Sequence, residues 1–332
     1  MGEKNVAVAG ATGAVGTEML KVLEQRNFPV KNIKMLASKR SVGKKLTFRG
    51  EDIPVEELSD DSFSGIDIAL FSAGASRSKE FASSAVEAGA VVVDNSSAFR
   101  LNDDVPLVVP EINAERVKDH RGIIANPNCS TIIAVVVVYP LHKAAQIKRM
   151  VVSTYQAVSG TGAAAMAELD QQSRAYFANE PIQKEVYPHQ IAFNLLPHIG
   201  DFEENGYTSE EMKMRNEGRK IMEDDSIEVS CTTIRVPVFR AHSEAINLEL
   251  AKDLSPDQAR QVLADAPGVK VVDDPENNVY PMPLDATGQD DVLAGRIRRD
   301  DSVEHGLDLW VSGDQLLKGA ALNAVQIAEL LL

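Results

Sequence analysis

Cysteine is scarce in this 332-residue chain: there are two, Cys129 and Cys231, far apart. Two distant cysteines make no disulfide framework and by themselves no zinc site, so no metal is expected and the cytoplasm is the expected compartment. Tryptophan occurs once, and aromatic residues reach only 5%. Basic residues are outnumbered 34 to 49 by acidic ones, a net charge of −15. That balance argues against a general basic surface for nucleic acid or anionic lipid, although a few local cations can still reverse the sign inside a cleft. No apolar run reaches membrane-spanning length: "IIAVVVVYPL" at 132–141 is too short and contains a proline. The opening residues show no signal-peptide pattern, and no internal repeat or low-complexity linker is visible. What remains is ordinary globular composition, 44% hydrophobic and 25% charged, enough for one large or two medium domains.

The first part of the chain alternates short apolar runs with helical patterns. The runs are "NVAVAG" at 5–10, "IKMLAS" at 33–38, "IDIALFSAG" at 66–74 and "AVVVDNS" at 90–96, and Val15, Met19, Val22 and Leu23 recur at helical spacing between the first two. Strands alternating with helices imply right-handed crossovers and a parallel sheet. After residue 128 the texture changes. "RMVVSTYQAVSG" at 149–160 and the alternating stretch 225–251 read as long strands, as do "DVLAGRIRRD" and "HGLDLWVSGD". "GYTSEEMKMRNEGRKIM" at 206–222 reads as a helix opened by Thr208 or Ser209, with acids in its first turn and bases later. "DDPENN" at 273–278 reads as an exposed loop, and the last segment as an apolar helix. The expected fold is therefore α/β. A Rossmann-type nucleotide domain spans 1–128, and an α+β catalytic domain with a mainly antiparallel sheet spans 129–314.

"VAVAGATGAVGTEML" sets Gly10, Gly13 and Gly16 between a strand and a helix. Glycine lets the chain turn tightly and its backbone approach a pyrophosphate, while the helix N-terminus supplies unpaired N–H groups. The spacing is GxxGxxG, which an ordinary tight turn could also use; the absence of Gly-Lys-Ser/Thr excludes a P-loop. The second strand runs into Ser38-Lys39-Arg40-Ser41 with no acid for a ribose hydroxyl. Basic and hydroxyl groups there suit a 2′-phosphate, so NADP is expected in preference to NAD. Thr12, Ala14 and Val15 of the turn, and Ser72, Ala73 and Gly74 after a later strand, would face the same cofactor.

The two cysteines read differently. Cys231 in "SCTTIRV" alternates with Ile227, Val229 and Thr233 as a strand interior and is taken as structural, despite a superficial match to glyceraldehyde-3-phosphate dehydrogenases. Cys129 in "ANPNCST" follows a turn signal and can open a helix, whose N-terminus lowers a thiol pKa and offers N–H groups to an oxyanion. "VVVV" at 135–138 prefers strand by propensity, and periodicity does not separate a buried helix from a buried strand over such a run.

The ordered set "GATGAVG", "NPNCS", "TYQAVSGTG", "EEMK" and "RVPVFRAHS", followed by "WVSGDQLLKGAALNAVQIAELL", closely resembles the aspartate-semialdehyde dehydrogenase family over nearly the whole chain. The resemblance implies reversible, NADPH-dependent conversion of L-aspartyl phosphate to L-aspartate semialdehyde with release of phosphate. That reaction lies in the aspartate pathway to lysine and diaminopimelate, threonine and methionine. It also implies a homodimer and a C-terminal helix, 315–332, returning to the nucleotide domain. Under it Cys129 is the nucleophile, His242 the acid/base residue taking the thiol proton, and Gln156 orients the substrate. Arg235 would hold the α-carboxylate and Glu210 the α-ammonium, with Lys213, Arg100 and Asn128 on the phosphate. Ser159, Gly160 and Gln315 would lie on the cofactor side.

From the residues alone, several of these have plainer readings. His242 would be a strand histidine with His189 and His198 as competitors, Gln156 a polar strand residue, Arg100 a surface residue, and Glu210 and Lys213 a surface i,i+3 pair. Arg235 and His242, seven apart, fall on opposite faces of one strand unless a bulge or bend intervenes. The nearest enzymatic rival is N-acetyl-γ-glutamyl-phosphate reductase, which would show a His-Pro-Gly-Cys-type segment. The rival from another class is a non-catalytic NADPH-binding protein, which has no need of the cysteine, glutamine and histidine together.

Overall fold

The computed structural model describes residues 2–332. The chain divides into two compact units, one running to Asn128 and joined by Ala320–Leu332, the other Cys129–Gly319. The return to the first unit thus starts at Ala320; residues 315–319, grouped with the returning helix in the sequence reading, stay with the second unit.

The first unit is built on seven strands: β1 (Lys4–Ala9), β2 (Val30–Ala37), β3 (Lys45–Phe48), β4 (Glu51–Glu57), β5 (Ile68–Phe71), β6 (Val91–Asp94) and β7 (Ile123–Ala125). Their order is β3-β4-β2-β1-β5-β6-β7, parallel except for the β3–β4 hairpin at one edge. Val6, Ala7, Val8 and Ala9 of the central β1 are wholly buried, as a strand covered on both faces requires. The hairpin turns at Arg49 and Gly50, both at positive φ (+51° and +80°), which matches the twist of the flanking strands. The order puts β1 at the reversal between its neighbours β2 and β5, where α/β sheets open a crevice at their C-terminal ends. The final helix, Leu322–Glu329, is held in this unit by Asn323, whose amide donates to Asn126 Oδ1 (2.7 Å) and the Val108 carbonyl (3.0 Å). Arg26 adds an ion pair to Glu329 at 2.7 Å.

The second unit carries β8 (Ile147–Gln156), β9 (Glu228–Arg235), β10 (His242–Leu250), β11 (Val269–Val271), β12 (Val292–Asp300) and β13 (Gly306–Gly313), in the order β11-β12-β13-β10-β8-β9. The centre of this sheet is antiparallel and both edge pairings are parallel. The helix Cys129–Ala145 contains the valine run, with Ile132 to Val138 at most 1% exposed. Burial on all sides outweighs the modest helix cost of β-branched residues, which is why propensity pointed to strand. Thr208 caps the helix Ser209–Met222 in a reciprocal capping box with Glu211, and Glu210 and Glu211 sit in its first turn, where the dipole favours anions.

Candidate active site

Arg235 ends β9 and His242 begins β10, so the seven-residue spacing crosses between two strands and no bulge is needed. From Met150 onward in β8 and throughout β10 the even-numbered residues are buried, and from Cys231 onward in β9 the odd-numbered ones. Register pairs Gln156 with Arg235, and Ser243 with Tyr155, so Gln156, Arg235 and His242 share one end of the buried face. All three are at most 5% exposed.

Cys129 is the first residue of its helix, and its Sγ lies 3.6 Å from His242 Nε2. The other ring nitrogen, Nδ1, accepts the Ala157 N–H at 3.0 Å. A neutral imidazole with an accepting Nδ1 carries its proton on Nε2, pointed at the sulfur. Burial first, then the neighbouring Arg235, push His242 down to about 3, with Glu210 opposing. The ring is therefore a neutral donor toward Cys129. A proton acceptor at Nε2 would need the opposite tautomer, setting two N–H groups against each other at Ala157.

Polar side chains continue from this pair. Thr154 Oγ1 donates to Gln156 Oε1 (3.1 Å), Gln156 Nε2 to Glu210 Oε1 (3.2 Å), and Lys213 Nζ to Glu210 Oε2 (2.9 Å). The surface-type i,i+3 pair of the plain reading exists, with Glu210 buried in the same network as Gln156. Arg235 Nη1 donates to the Ala157 carbonyl at 2.7 Å, while its Nε is buried without a partner. The turn Val158–Thr161 lies over both residues: a Cβ on Gly160 would stand 3.1 Å from Arg235 Nη1 and from His242 Cε1. A Cβ on Gly319 would likewise stand 3.0 Å from the Cβ of Cys129. Gln315 is tied at both ends, its amide nitrogen donating to Ser159 Oγ and its Oε1 accepting the Ala241 N–H (2.8 Å). It braces that turn instead of presenting a free amide to a cofactor.

Cys231 is buried on β9, and burial together with Glu244, Glu211 and Glu210 pushes its thiol far up. A thiol so held is inert. His189 and His198 line a separate cleft of about 390 Å³ with Tyr187 and Phe202, so neither competes for the cysteine.

In the first unit a cleft of about 620 Å³ is lined by Gly10, Thr12, Gly13, Ser38, Lys39, Arg40, Ser72, Ala73 and Arg77. Gly10 has φ +88°, and a Cβ there would fall 2.3 Å from the Ser72 carbonyl oxygen. The helices Ala14–Gln25 and Ala75–Glu87 begin at this cleft with Gly13 and Gly74 as N-caps and no side-chain cap. Two uncapped N-termini and a backbone that admits no Cβ fit the phosphates of a dinucleotide. Lys39, Arg40 and Arg77 fit a further phosphate; of the two acids in the wall, Glu80 is paired to Arg77 at 2.6 Å and Glu57 is the other. Ala14, Val15, Gly16, Ser41 and Gly74 do not line it. Gly16 serves packing, because a Cβ there would meet Gly10 O at 2.2 Å, and Ser41 reaches Thr12 Oγ1 at 3.4 Å. Arg77 and Glu57 were missed in sequence, where nothing sets them apart from other surface charges. Arg100 and Asn128 belong to the first unit and are buried there, Arg100 donating to the carbonyls of Asn126 and Asn95 at 3.0 Å each.

The semialdehyde dehydrogenase NAD-binding domain family matches residues 5–120, and the semialdehyde dehydrogenase dimerisation domain family matches 138–318. The aspartate-semialdehyde dehydrogenase of Aquifex aeolicus is 58% identical over 98% of this chain and 97% of its own length. The chain belongs to the aspartate-semialdehyde dehydrogenase family. A Vibrio cholerae aspartate-semialdehyde dehydrogenase II solved in complex with ASA superposes with a TM-score of 0.97 at 46% identity, covering all of this chain and 98% of the other. A Candida albicans member of the family solved with NADP gives 0.78 at 27% identity, covering 99% and 98%. No helix among the described residues is long and apolar enough to cross a membrane.

Proposed function

We propose that this chain converts L-aspartyl 4-phosphate and NADPH to L-aspartate 4-semialdehyde, NADP and phosphate, reversibly, as a homodimer in the cytoplasm. The observation that carries the residue assignment is the Cys129–His242 contact at 3.6 Å, at the head of a buried helix and beside the Gln156–Glu210–Lys213 network.

Cys129 works as the thiolate, favoured by its helix N-terminus and by the Nε2–H of His242. Its sulfur attacks the acyl carbon, the C–O bond to phosphate breaks, and a thioester forms on Cys129. The cofactor, when bound, supplies the hydride that reduces this acyl group. Return of the electron pair to sulfur then releases the aldehyde and regenerates the thiolate. Neither half-reaction needs the imidazole to gain a proton, so a neutral Nε2–H donor suffices to stabilise first the thiolate and then the tetrahedral oxyanion. Arg235 takes the α-carboxylate through the guanidinium edge that its single bond to Ala157 leaves open, and Glu210 takes the α-ammonium. Gln156, fixed between Thr154 and Glu210, orients the substrate as a neutral amide. Lys213, Arg100 and Asn128 keep the phosphate role that the family resemblance implies. Gly10, Thr12, Gly13, Ser38, Arg40, Ser72 and Ala73 hold the dinucleotide, Arg40 with Lys39 and Arg77 at the 2′-phosphate.

The test follows NADPH formation from aspartate semialdehyde, NADP and phosphate, with N-acetylglutamate semialdehyde alongside. Phosphate-dependent turnover of the first aldehyde, lost in Cys129→Ala and retained in Cys231→Ala, supports the assignment. A folded protein that binds NADPH and turns over neither aldehyde refutes it.

A further inference from the structure

Segment 183–192 has no regular secondary structure, yet two side chains of the helix Ala163–Ala178 hold its backbone at six points. Glu168 accepts the N–H groups of Glu185 (2.9 Å), Val186 and Tyr187 (3.4 Å). Gln172 accepts those of Ile191 (2.9 Å) and Ala192 (3.1 Å) and donates to the Gln183 carbonyl (2.8 Å). Gln172 also donates to Glu168 at 3.1 Å, and both are at most 5% exposed. Burying a carboxylate is costly unless it is fully bonded, so this pair is an investment in the path of the segment it holds.

That path delivers Tyr187, whose hydroxyl donates to Thr161 Oγ1 at 3.0 Å. Thr161 is the last residue of the turn Val158–Thr161, the turn that rests Gly160 on Arg235 and His242. The near end of the turn is tied by backbone bonds from Val158 to Val238 (2.9 Å) and from Ser159 to Phe239 (3.2 Å), and Ala157 just before it supplies the N–H to His242 and the carbonyl to Arg235. Its far end is tied by Tyr187.

We propose that Tyr187, presented by Glu168 and Gln172, is a positioning residue that fixes the Val158–Thr161 turn against His242 and Arg235. It touches no reacting atom and acts through the turn. The proposal rests on the aldehyde dehydrogenase reading above. If wild type turns over neither aldehyde, that reading fails; if wild type is active and the variants match it, only the present inference fails.

The experiment compares Tyr187→Phe, Thr161→Val and their double variant with wild type, and Thr161→Ser as the conservative control. Each single change is expected to lower kcat/KM for aspartate semialdehyde about five- to tenfold, with KM for the aldehyde rising and KM for phosphate unmoved, since small misplacements of catalytic groups carry costs of this order. The double variant is expected to be no worse than either single one, because both remove the same hydrogen bond. Thr161→Ser keeps the acceptor and should stay within about twofold of wild type. Tyr187→Phe or Thr161→Val indistinguishable from wild type, or singles that multiply in the double variant, would overturn the proposal. Should Tyr187→Phe fold poorly, Thr161→Val against Thr161→Ser decides alone.

Discussion

The neutrality of His242 can be measured through stability as well as chemistry. The ring has no exposed surface, and burial with Arg235 nearby lowers it from 6.5 to about 3. In the unfolded chain the same ring gains a proton below about pH 6.5. A depressed histidine therefore contributes stability that is present above pH 6.5 and is lost as pH falls toward 3. Between pH 7 and pH 5 the unfolded state binds most of a proton at this position and the folded state almost none. At about 1.4 kcal/mol per pH unit below 6.5, that removes about 2 kcal/mol of stability. Urea unfolding at the two pH values, at one fixed protein concentration, should show wild type losing about 2 kcal/mol more than His242→Gln. ¹⁵N chemical shifts of the ring should report an unprotonated Nδ1 and a protonated Nε2 throughout that range. Equal losses in the two proteins, together with a ring that becomes doubly protonated near pH 6, would refute both the burial argument and the donor role.

Three further outcomes follow from close contacts and buried charge. Gly160→Ala puts a Cβ 3.1 Å from both Arg235 Nη1 and His242 Cε1 with no backbone strain, so the melting temperature should hold while kcat falls at least about tenfold. Gly10→Ala combines φ +88° with a 2.3 Å approach to the Ser72 carbonyl; fluorescence titration should show NADPH binding weakened at least about tenfold, with alkylation of Cys129 unchanged. Glu244, wholly buried with both carboxylate oxygens unpartnered, is raised well above 4.5 by burial. Its contribution is present at low pH and fades as the unfolded carboxyl ionises, so Glu244→Gln should be more stable than wild type at pH 8 and equal to it at pH 4; a less stable variant at pH 8 contradicts a neutral carboxyl there.

Local pattern was enough for what depends on local pattern. The buried runs of β1, β2, β5 and β6, the capping signal at Thr208, and the turn before Cys129 are all written in neighbouring residues, and the ordered motifs carried the family. Gly10 was legible because a tight turn between strand and helix, at positive φ and against the Ser72 carbonyl, tolerates nothing larger. The β3–β4 hairpin was not, because its strands are short, charged and half exposed, with no clean alternation to mark them.

Other features belong to tertiary structure because they depend on which groups end up adjacent after folding. Burial turned a valine-rich run into a helix against its propensity. The chain reversal between Arg235 and His242 supplies the bend that their seven-residue spacing required and puts them on one face. The tautomer of His242 is set by one backbone N–H, at Ala157, 85 residues away. A backbone donor leaves no trace in residue type, so no reading of the letters reveals it. Ordered motifs carry the family, and they name Cys129, His242 and Gln156 as the candidates for its chemistry. Which atoms of those side chains are bonded and which are shielded from water is settled by packing, because hydrogen-bond partners and solvent exclusion are properties of the folded chain.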